Sequence, residues 1–253
     1  MKFIFVMTLI VLFIAGCVSN EYDKSDLKSR TTDSISAPDI LVNDTSIYPF
    51  IITHDTTRSY SEIKNEIKVI KSGIDTSKIS EDSLSQLFIN LLVERIFPYW
   101  YGTKWSFEGH TSNPNNGEIA CGYFVSTTLR DAGFNINKYK LAQQSPINEA
   151  KSINIDNPVI EIYNESVEEN IIELQKLLKE GIYFIGFDQN HVGFIFKKAD
   201  ELFLIHSNYA DFNGVMTERI HNSLVFPYYN RFYIAEISTN KSLLKKWLLN
   251  EEI

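Results

Sequence analysis

The chain has 253 residues, of which 44% are hydrophobic and 22% are charged. This length and composition are enough for one sizeable core with appendages. The net charge of −8 argues against a nucleic-acid partner, because binding to phosphate backbones needs basic surfaces.

The N-terminal sixteen residues have the pattern of an export signal. Lys2 supplies a short positive region, and the apolar segment Phe3–Ala15 has the length of a signal-peptide core, too short for a comfortable membrane span. The segment ends Ile-Ala-Gly-Cys, which resembles a bacterial lipobox with lipid on Cys17. We therefore expect residues 1–16 to be a lipoprotein signal peptide and the exported protein to be lipid-anchored to the cell envelope. An ordinary secretory signal with a chance cysteine is the alternative.

Residues 17–46 are polar and predict a flexible tether that carries the lipidated cysteine. The folded domain is expected over 47–253, beginning with a strand-like run at 47–55. Helical spacing predicts a helix over 61–71. A second helix is predicted from Ser80 as N-cap, with acidic residues in its first turn. Its apolar positions are Leu84, Leu87, Phe88, Leu91, Leu92 and Ile96.

From Pro98 onward, an aromatic and Gly/Asn-rich stretch predicts a loop that suits the wall of a binding groove. Its large aromatic residues are Tyr99, Trp100, Tyr101 and Trp105. A helix headed by Cys121 follows, with Gly133 just after its end. A short helix is predicted after Ser145-Pro146, and an amphipathic helix is predicted from Ser166 as N-cap to Gly181.

Beyond Gly181 the hydrophobic period changes. Short apolar runs separated by turn-like residues predict consecutive antiparallel strands, namely IYFIGFD, HVGFIFKK and ELFLIHSN, with one or two more in LVFPYYNRFYIAEIS. NKSLLKKWLLNEE predicts a closing helix. Helices followed by a run of strands indicate an α+β fold.

Cys121 is the only free thiol if Cys17 carries lipid, so no disulfide forms within the chain. An unpaired thiol in an oxidising compartment is either buried in the core or used as a nucleophile. A helix N-terminus lowers the pKa of a thiol, and its backbone N–H groups also stabilise an oxyanion. Ala120 and Gly122 leave room for a substrate carbonyl to approach.

A cysteine nucleophile needs a base, usually an imidazole that a third polar group orients. His191 begins one predicted strand and His206 ends the next. If these strands form a hairpin, both imidazoles lie at the same end, with His191 towards the thiol and His206 accepting from its far nitrogen. We expect ordinary polar roles for the other histidines, His54, His110 and His221. Zinc binding by one cysteine and two histidines is a weaker option.

These residues together resemble the NlpC-type cell-wall endopeptidases, a papain-like family. The matching motifs, in chain order, are Pro98-Tyr99-Trp100-Tyr101-Gly102, Cys121-Gly122-Tyr123-Phe124-Val125, His191-Val192-Gly193-Phe194-Ile195 and Ile205-His206. The resemblance implies a papain-like core in which the nucleophile helix packs on a small antiparallel sheet. It implies Cys121 as nucleophile and His191 as base. It implies His206 as the orienting residue, with Asn208 as the alternative, and Tyr99 close to the thiol.

The family hydrolyses amide bonds in peptidoglycan stem peptides, and the resemblance implies that activity without a cofactor. Ala120-Cys121-Gly122-Tyr123 stands where the family usually has Asp-Cys-Ser-Gly, and Thr103 replaces a glycine. The catalytic pair is therefore better defined than the substrate, and a related amidohydrolase or an exported protein peptidase remains open. A papain-fold module that binds wall peptides or a partner protein through its aromatic residues is the rival interpretation. A third interpretation is a lipid-anchored structural protein in which Cys121 is buried in the core.

Overall fold

The computed structural model describes residues 55, 57–188, 190–210 and 213–253. The predicted signal peptide, Cys17, the tether, almost all of the strand-like run at 47–55, and His54 lie outside the described residues. No helix within the described ranges is long and apolar enough to cross a membrane.

Eight α-helices are described in these ranges: α1 Tyr60–Ser72, α2 Glu81–Asn90, α3 Phe97–Trp100, α4 Cys121–Asp131, α5 Lys138–Ala142, α6 Pro146–Ile153, α7 Val167–Leu177 and α8 Lys241–Leu249. A π-helical segment, Leu91–Ile96, joins α2 to α3. Short 3₁₀ turns lie at Ile220–Asn222 and Phe226–Tyr228.

Local capping explains where several helices begin. Ser59 and Glu62 form a reciprocal capping box at α1, and the Ser80 hydroxyl accepts a hydrogen bond from the Ser83 N–H at α2. Ser166 does the same for α7. The predicted helices at 61–71, at Ser80 and at Ser166 are therefore confirmed. The predicted loop at Pro98 is wrong at its start, because Phe97–Trp100 continues the helix.

Within the described part of the chain, six strands form one antiparallel sheet: β1 Ile160–Tyr163, β2 Gly181–Phe187, β3 His191–Lys198, β4 Glu201–Asn208, β5 Gly214–Arg219 and β6 Arg231–Glu236, in the order β1-β6-β2-β3-β4-β5. The three predicted consecutive strands are β2, β3 and β4, and the α+β class is confirmed. Gly181 opens β2 and does not end α7 as predicted. The short strands β1 and β5 were not predicted.

The sheet is covered on both faces, which explains why the central strands β2 and β3 show continuous burial. On one face, side chains such as Phe184, Phe194 and Ile205 pack with α1, α2, α4 and α8. On the other face, Ile185, Ile195 and Leu204 pack with α7 and the turn at Phe226. One helical layer therefore lies on each side of the sheet.

Helix α4 is fixed by the sheet at its start and by α8 at its end. The Phe124 ring meets the Phe194 ring of β3 at a centroid distance of 5.9 Å. Gly133 has a φ of 100° and closes the helix as predicted, while the Trp247 indole donates to the Ala132 carbonyl at 2.8 Å. The Ser207 hydroxyl of β4 donates to the Ile119 carbonyl at 2.7 Å. These contacts bring the start of α4 to the end of the sheet that carries both histidines.

Candidate active site

Cys121 is the first residue of α4, and Ala120 precedes it as an extended N-cap residue. The first helical hydrogen bond runs from the Phe124 N–H to the Ala120 carbonyl, so the N–H groups at the very start have no partner within the helix. The backbone N–H groups of Val192, Gly122 and Cys121 itself lie close to the sulphur and favour its ionised form. The predicted helix-start position of Cys121 is therefore confirmed.

Cys121 is half-buried, and its surroundings nevertheless favour the protonated thiol. Desolvation by the surrounding core raises the pKa of Cys121 to about 11, and the Glu149 carboxyl contributes in the same direction. The three backbone N–H groups lower the pKa, but they do not outweigh burial. The backbone N–H groups at the helix start do lower the pKa of this thiol, as expected. The net shift is upward, so the expectation of a lowered pKa is wrong.

Two histidines and a glutamate form a buried chain of hydrogen bonds. His191 Nε2 lies 2.9 Å from His206 Nδ1, and His206 Nε2 lies 3.1 Å from Glu218 Oε1. The exposed fractions are 1% for His191, 0% for His206 and 5% for Glu218. The predicted hairpin of β3 and β4 is confirmed by its register, and it brings the two imidazoles into contact. Both imidazoles lie on the face of the sheet that carries Phe187 and Ile195, whereas Cys121 packs on the other face. The structure therefore does not show the expected orientation of His191 towards the thiol.

The hydrogen-bond chain determines which nitrogen of His191 is basic. A carboxylate only accepts, so His206 Nε2 carries the proton that points to Glu218. His206 Nδ1 is then an acceptor, and His191 Nε2–H donates to it. His191 Nδ1 is left with a free lone pair, and it is buried without a hydrogen-bond partner. Desolvation, with a smaller electrostatic contribution from the neighbouring His206 ring, lowers the pKa of His191 well below its usual value, so the imidazole is neutral.

Aromatic rings hold the His191 imidazole in place. The Phe187 ring lies 5.0 Å from it, the His206 ring 5.1 Å and the Tyr209 ring 5.2 Å, nearly perpendicular. The Tyr209 hydroxyl is hydrogen-bonded to the Tyr229 hydroxyl at 2.8 Å. The imidazole therefore has little freedom to change rotamer.

Trp100 does not belong to a binding surface, and that prediction is wrong. Its side chain is fully buried, and its indole N–H donates to the Tyr60 hydroxyl at 2.8 Å. Tyr99 also packs inward, and its hydroxyl donates to the carbonyl groups of Asp55 at 3.1 Å and Arg58 at 3.0 Å. These hydrogen bonds hold the segment that precedes α1, and a role for Tyr99 beside the thiol stays a prediction.

Gly122 and Asn208 have clear structural contacts. A Cβ on Gly122 would lie 2.6 Å from the Ala142 carbonyl oxygen, so the close approach of α5 requires glycine at this position. The Asn208 amide donates to Met216 Sδ at 3.1 Å and accepts from the Ala210 N–H at 2.7 Å. Of the two residues expected to contact the His191 imidazole, His206 and Asn208, it is His206 that does so.

Sequence reasoning missed two acidic residues of this site. Glu218 lies on β5, on the same face as His206, and the alternation in GVMTER is the signal that could have revealed it. Glu149 lies on α6 with 1% exposure, and no local pattern distinguishes it from a surface glutamate. Among the described residues, no group of three or more His, Cys, Asp or Glu side chains is arranged to hold a metal ion.

No protein-family model matches the chain, and no curated protein or solved structure matches it either. Any functional interpretation therefore depends on the geometry of these residues.

Proposed function

We propose that the protein is a cysteine hydrolase that cleaves amide bonds, with a papain-like arrangement of its nucleophile helix and sheet. Cys121 is the nucleophile, His191 the general base, and His206 and Glu218 orient the base. The observation that supports this most is the unpartnered His191 Nδ1, left as an acceptor by the His206–Glu218 chain. His191 immediately precedes Val192, whose N–H contacts the Cys121 sulphur.

The reaction begins from a neutral thiol and a neutral imidazole. As the Cys121 sulphur bonds to the substrate carbonyl carbon, a water at the start of β3 relays its proton to His191 Nδ1, because the imidazole lies on the face of the sheet opposite α4. The positive charge on His191 is stabilised through His206 by the Glu218 carboxylate. The protonated imidazole then gives its proton to the leaving amine as the C–N bond breaks. Water, deprotonated by the same nitrogen, hydrolyses the thioester and restores the thiol.

The start of α4 supplies the oxyanion site in this mechanism. The backbone N–H groups of Cys121 and Gly122 have no partner within the helix, and they lie next to the reacting sulphur. Preorganised N–H donors stabilise the negative oxygen of a tetrahedral intermediate. The reaction needs no cofactor.

The proposed substrate is a peptide of the cell wall, in particular a peptidoglycan stem peptide. The resemblance of the Cys121 and His191 motifs to those of the NlpC-type endopeptidases supports this substrate class. A lipid anchor on Cys17 would hold the enzyme in the cell envelope, next to that polymer.

The test compares the wild-type chain with Cys121→Ala. Purified peptidoglycan and a casein substrate are incubated with each protein, and newly formed amino groups are quantified. Loss of release in Cys121→Ala, with an unchanged melting temperature, is the expected result. His110→Ala serves as the matched control, because His110 is exposed and lies outside the hydrogen-bond chain. Full activity of Cys121→Ala would refute the proposal.

The second candidate is a non-catalytic module that binds wall peptides or a protein partner. The raised pKa of Cys121, at about 11, favours it, because a resting thiolate is absent at neutral pH. This candidate predicts that peptidoglycan fragments bind without turnover and that Cys121→Ala binds them equally well. Isothermal calorimetry with the soluble fragments separates the two candidates.

A further inference from the structure

The sequence contains two Asn-Gly dipeptides, Asn116-Gly117 and Asn213-Gly214. An asparagine that precedes glycine is especially prone to lose its side-chain amide, because the small glycine lets its backbone nitrogen approach the asparagine side chain. That nitrogen attacks Cγ, ammonia leaves and a five-membered succinimide forms, which water opens to aspartate or isoaspartate. In a folded protein the rate depends on how free the side chain and the glycine N–H are.

Both reacting groups of Asn116-Gly117 are free, and both residues are exposed. The loop is held through the backbone of Asn116, whose N–H donates to the Asn113 carbonyl at 3.2 Å. Its carbonyl accepts from the Thr111 hydroxyl at 2.7 Å. Among the described residues, neither the Asn116 side-chain amide nor the Gly117 N–H has a hydrogen-bond partner. The contacts that order this loop therefore leave the attacking nitrogen and the attacked carbon available.

The second dipeptide is protected by the sheet. Gly214 is buried in β5 and lies opposite Asn208 of β4. The Val215 N–H donates to the Thr103 carbonyl at 2.8 Å, and successive N–H groups along a strand point to opposite edges. The Gly214 N–H therefore points to β4, where it belongs to the ladder of hydrogen bonds and is not available to attack Asn213.

We propose that Asn116 is a site of spontaneous deamidation and that Asn213 is not. The Gly117 nitrogen gives its proton to a solvent base and bonds to Asn116 Cγ, the bond from Cγ to Nδ2 breaks, and ammonia leaves. One water molecule is consumed when the ring opens, so the net change exchanges an amide nitrogen for a carboxyl oxygen. No oxidant, reductant or cofactor takes part.

The turn itself explains why glycine stands at the sensitive position. Gly117 has a φ of 99°, a left-handed conformation that favours glycine. A Cβ at this position would also lie 3.3 Å from the Thr111 Cβ. The loop therefore needs glycine for its backbone path, and the asparagine that precedes it is left open to attack.

Deamidation at Asn116 would act on the segment that leads into α4. Thr111 bonds to both sides of the dipeptide, because its hydroxyl donates to the Asn116 carbonyl and its N–H donates to the Glu118 carbonyl at 3.0 Å. Isoaspartate adds one methylene to the main chain between these two contacts and so changes their spacing. Ala120, the N-cap residue of α4, follows two positions after Glu118. Conversion should therefore loosen the start of α4. An effect on hydrolysis rests on the proposed function, but the modification itself does not.

The test incubates the purified, folded protein at mildly alkaline pH and quantifies both dipeptides over time by peptide mass spectrometry, together with the ammonia released. We expect Asn116 to be converted several-fold faster than Asn213, which serves as the internal control of the same chemistry. In urea, where the sheet no longer protects Gly214, the two sites should be converted at similar rates. The melting temperature of wild type should fall as Asn116 is converted, whereas that of Asn116→Ser should stay constant.

Equal conversion of the two sites in the folded protein would overturn the inference. So would an Asn116 that is converted in urea but not in the folded protein, or the absence of conversion at both sites in urea. An unchanged melting temperature after conversion would refute the loosening of α4. Deamidation is measured by mass and not by activity, so a protein that is modified at Asn116 but has no hydrolytic activity would refute the proposed function and retain this inference.

Discussion

Replacing Gly122 by alanine tests whether helix α4 is pressed against α5. The new Cβ would lie 2.6 Å from the Ala142 carbonyl oxygen and 3.3 Å from the Ala142 Cα. The neighbour is backbone and not the far end of a flexible side chain, so relief requires α4 and α5 to move apart. That movement would displace Cys121 from the Val192 N–H that it contacts.

The expected cost follows from two opposing effects. Overpacking of a well-packed site costs about 1–3 kcal/mol, and alanine is favoured over glycine inside a helix by up to about 1 kcal/mol. The free energy of unfolding should therefore fall by about 1–2 kcal/mol in Gly122→Ala. The serine that the NlpC-type family carries after its cysteine should be disfavoured here for the same reason.

Urea titration monitored by tryptophan fluorescence measures this free energy. Gly73→Ala is the matched control, because its Cβ would meet its nearest atom, the Val69 carbonyl oxygen, at 3.4 Å and its φ of −85° suits alanine. We expect that control to be neutral or stabilised by about 0.4–1 kcal/mol. A Gly122→Ala variant at least as stable as wild type would refute the close contact on which the placement of Cys121 depends.

Glu218→Gln should leave the fold intact and lower amide hydrolysis by on the order of 10²-fold or more, because an amide no longer imposes the tautomer of His206; an unchanged rate would contradict this orienting role. Trp100→Phe should lower the free energy of unfolding by about 1–2 kcal/mol in urea, since the Tyr60 hydroxyl loses a donor, while hydrolysis stays unchanged. A loss of substrate affinity without a loss of stability would support the original prediction that Trp100 binds substrate. The free energy of unfolding should also decrease as the pH falls below 6.5, the ordinary His191 value. The reason is that the unfolded chain binds a proton there and the folded imidazole, with its lowered pKa, does not. In urea titrations, the free energy of unfolding of His191→Gln should change less with pH in this range than that of wild type. An equal change with pH in both proteins would mean that another group is responsible.

Elements whose signals are local were predictable from the sequence. Ser59, Ser80 and Ser166 accept hydrogen bonds at helix starts from residues three positions on, so short stretches contain all the information. The contact of His191 with His206 was also predictable, because a hairpin with a short turn determines which residues meet.

Elements whose partners are distant in sequence were not predictable in the same way. β1 has four residues, and its partner is β6, with Ile160 opposite Ile234. Trp100 lies in an aromatic stretch that is typical of a groove wall. Its indole N–H nevertheless donates a hydrogen bond to the hydroxyl of Tyr60, forty positions earlier in the chain. Aromatic side chains suit both a core and a binding surface, and only the packing partner distinguishes the two.

The sequence by itself determined the α+β class, the position of Cys121 at a helix start and the pairing of two histidines, because caps, periodicity and hairpins act over a few residues. Only the tertiary structure decided the protonation of the site. A helix start favours a thiolate, but burial and the Glu149 carboxyl, contributed by other elements, reverse the balance and raise the pKa of Cys121 to about 11. Likewise, Glu218 from β5 contacts His206 and leaves His191 Nδ1 as an acceptor. Desolvation and long-range contacts arise only when distant segments pack together, so no local sequence pattern predicts them.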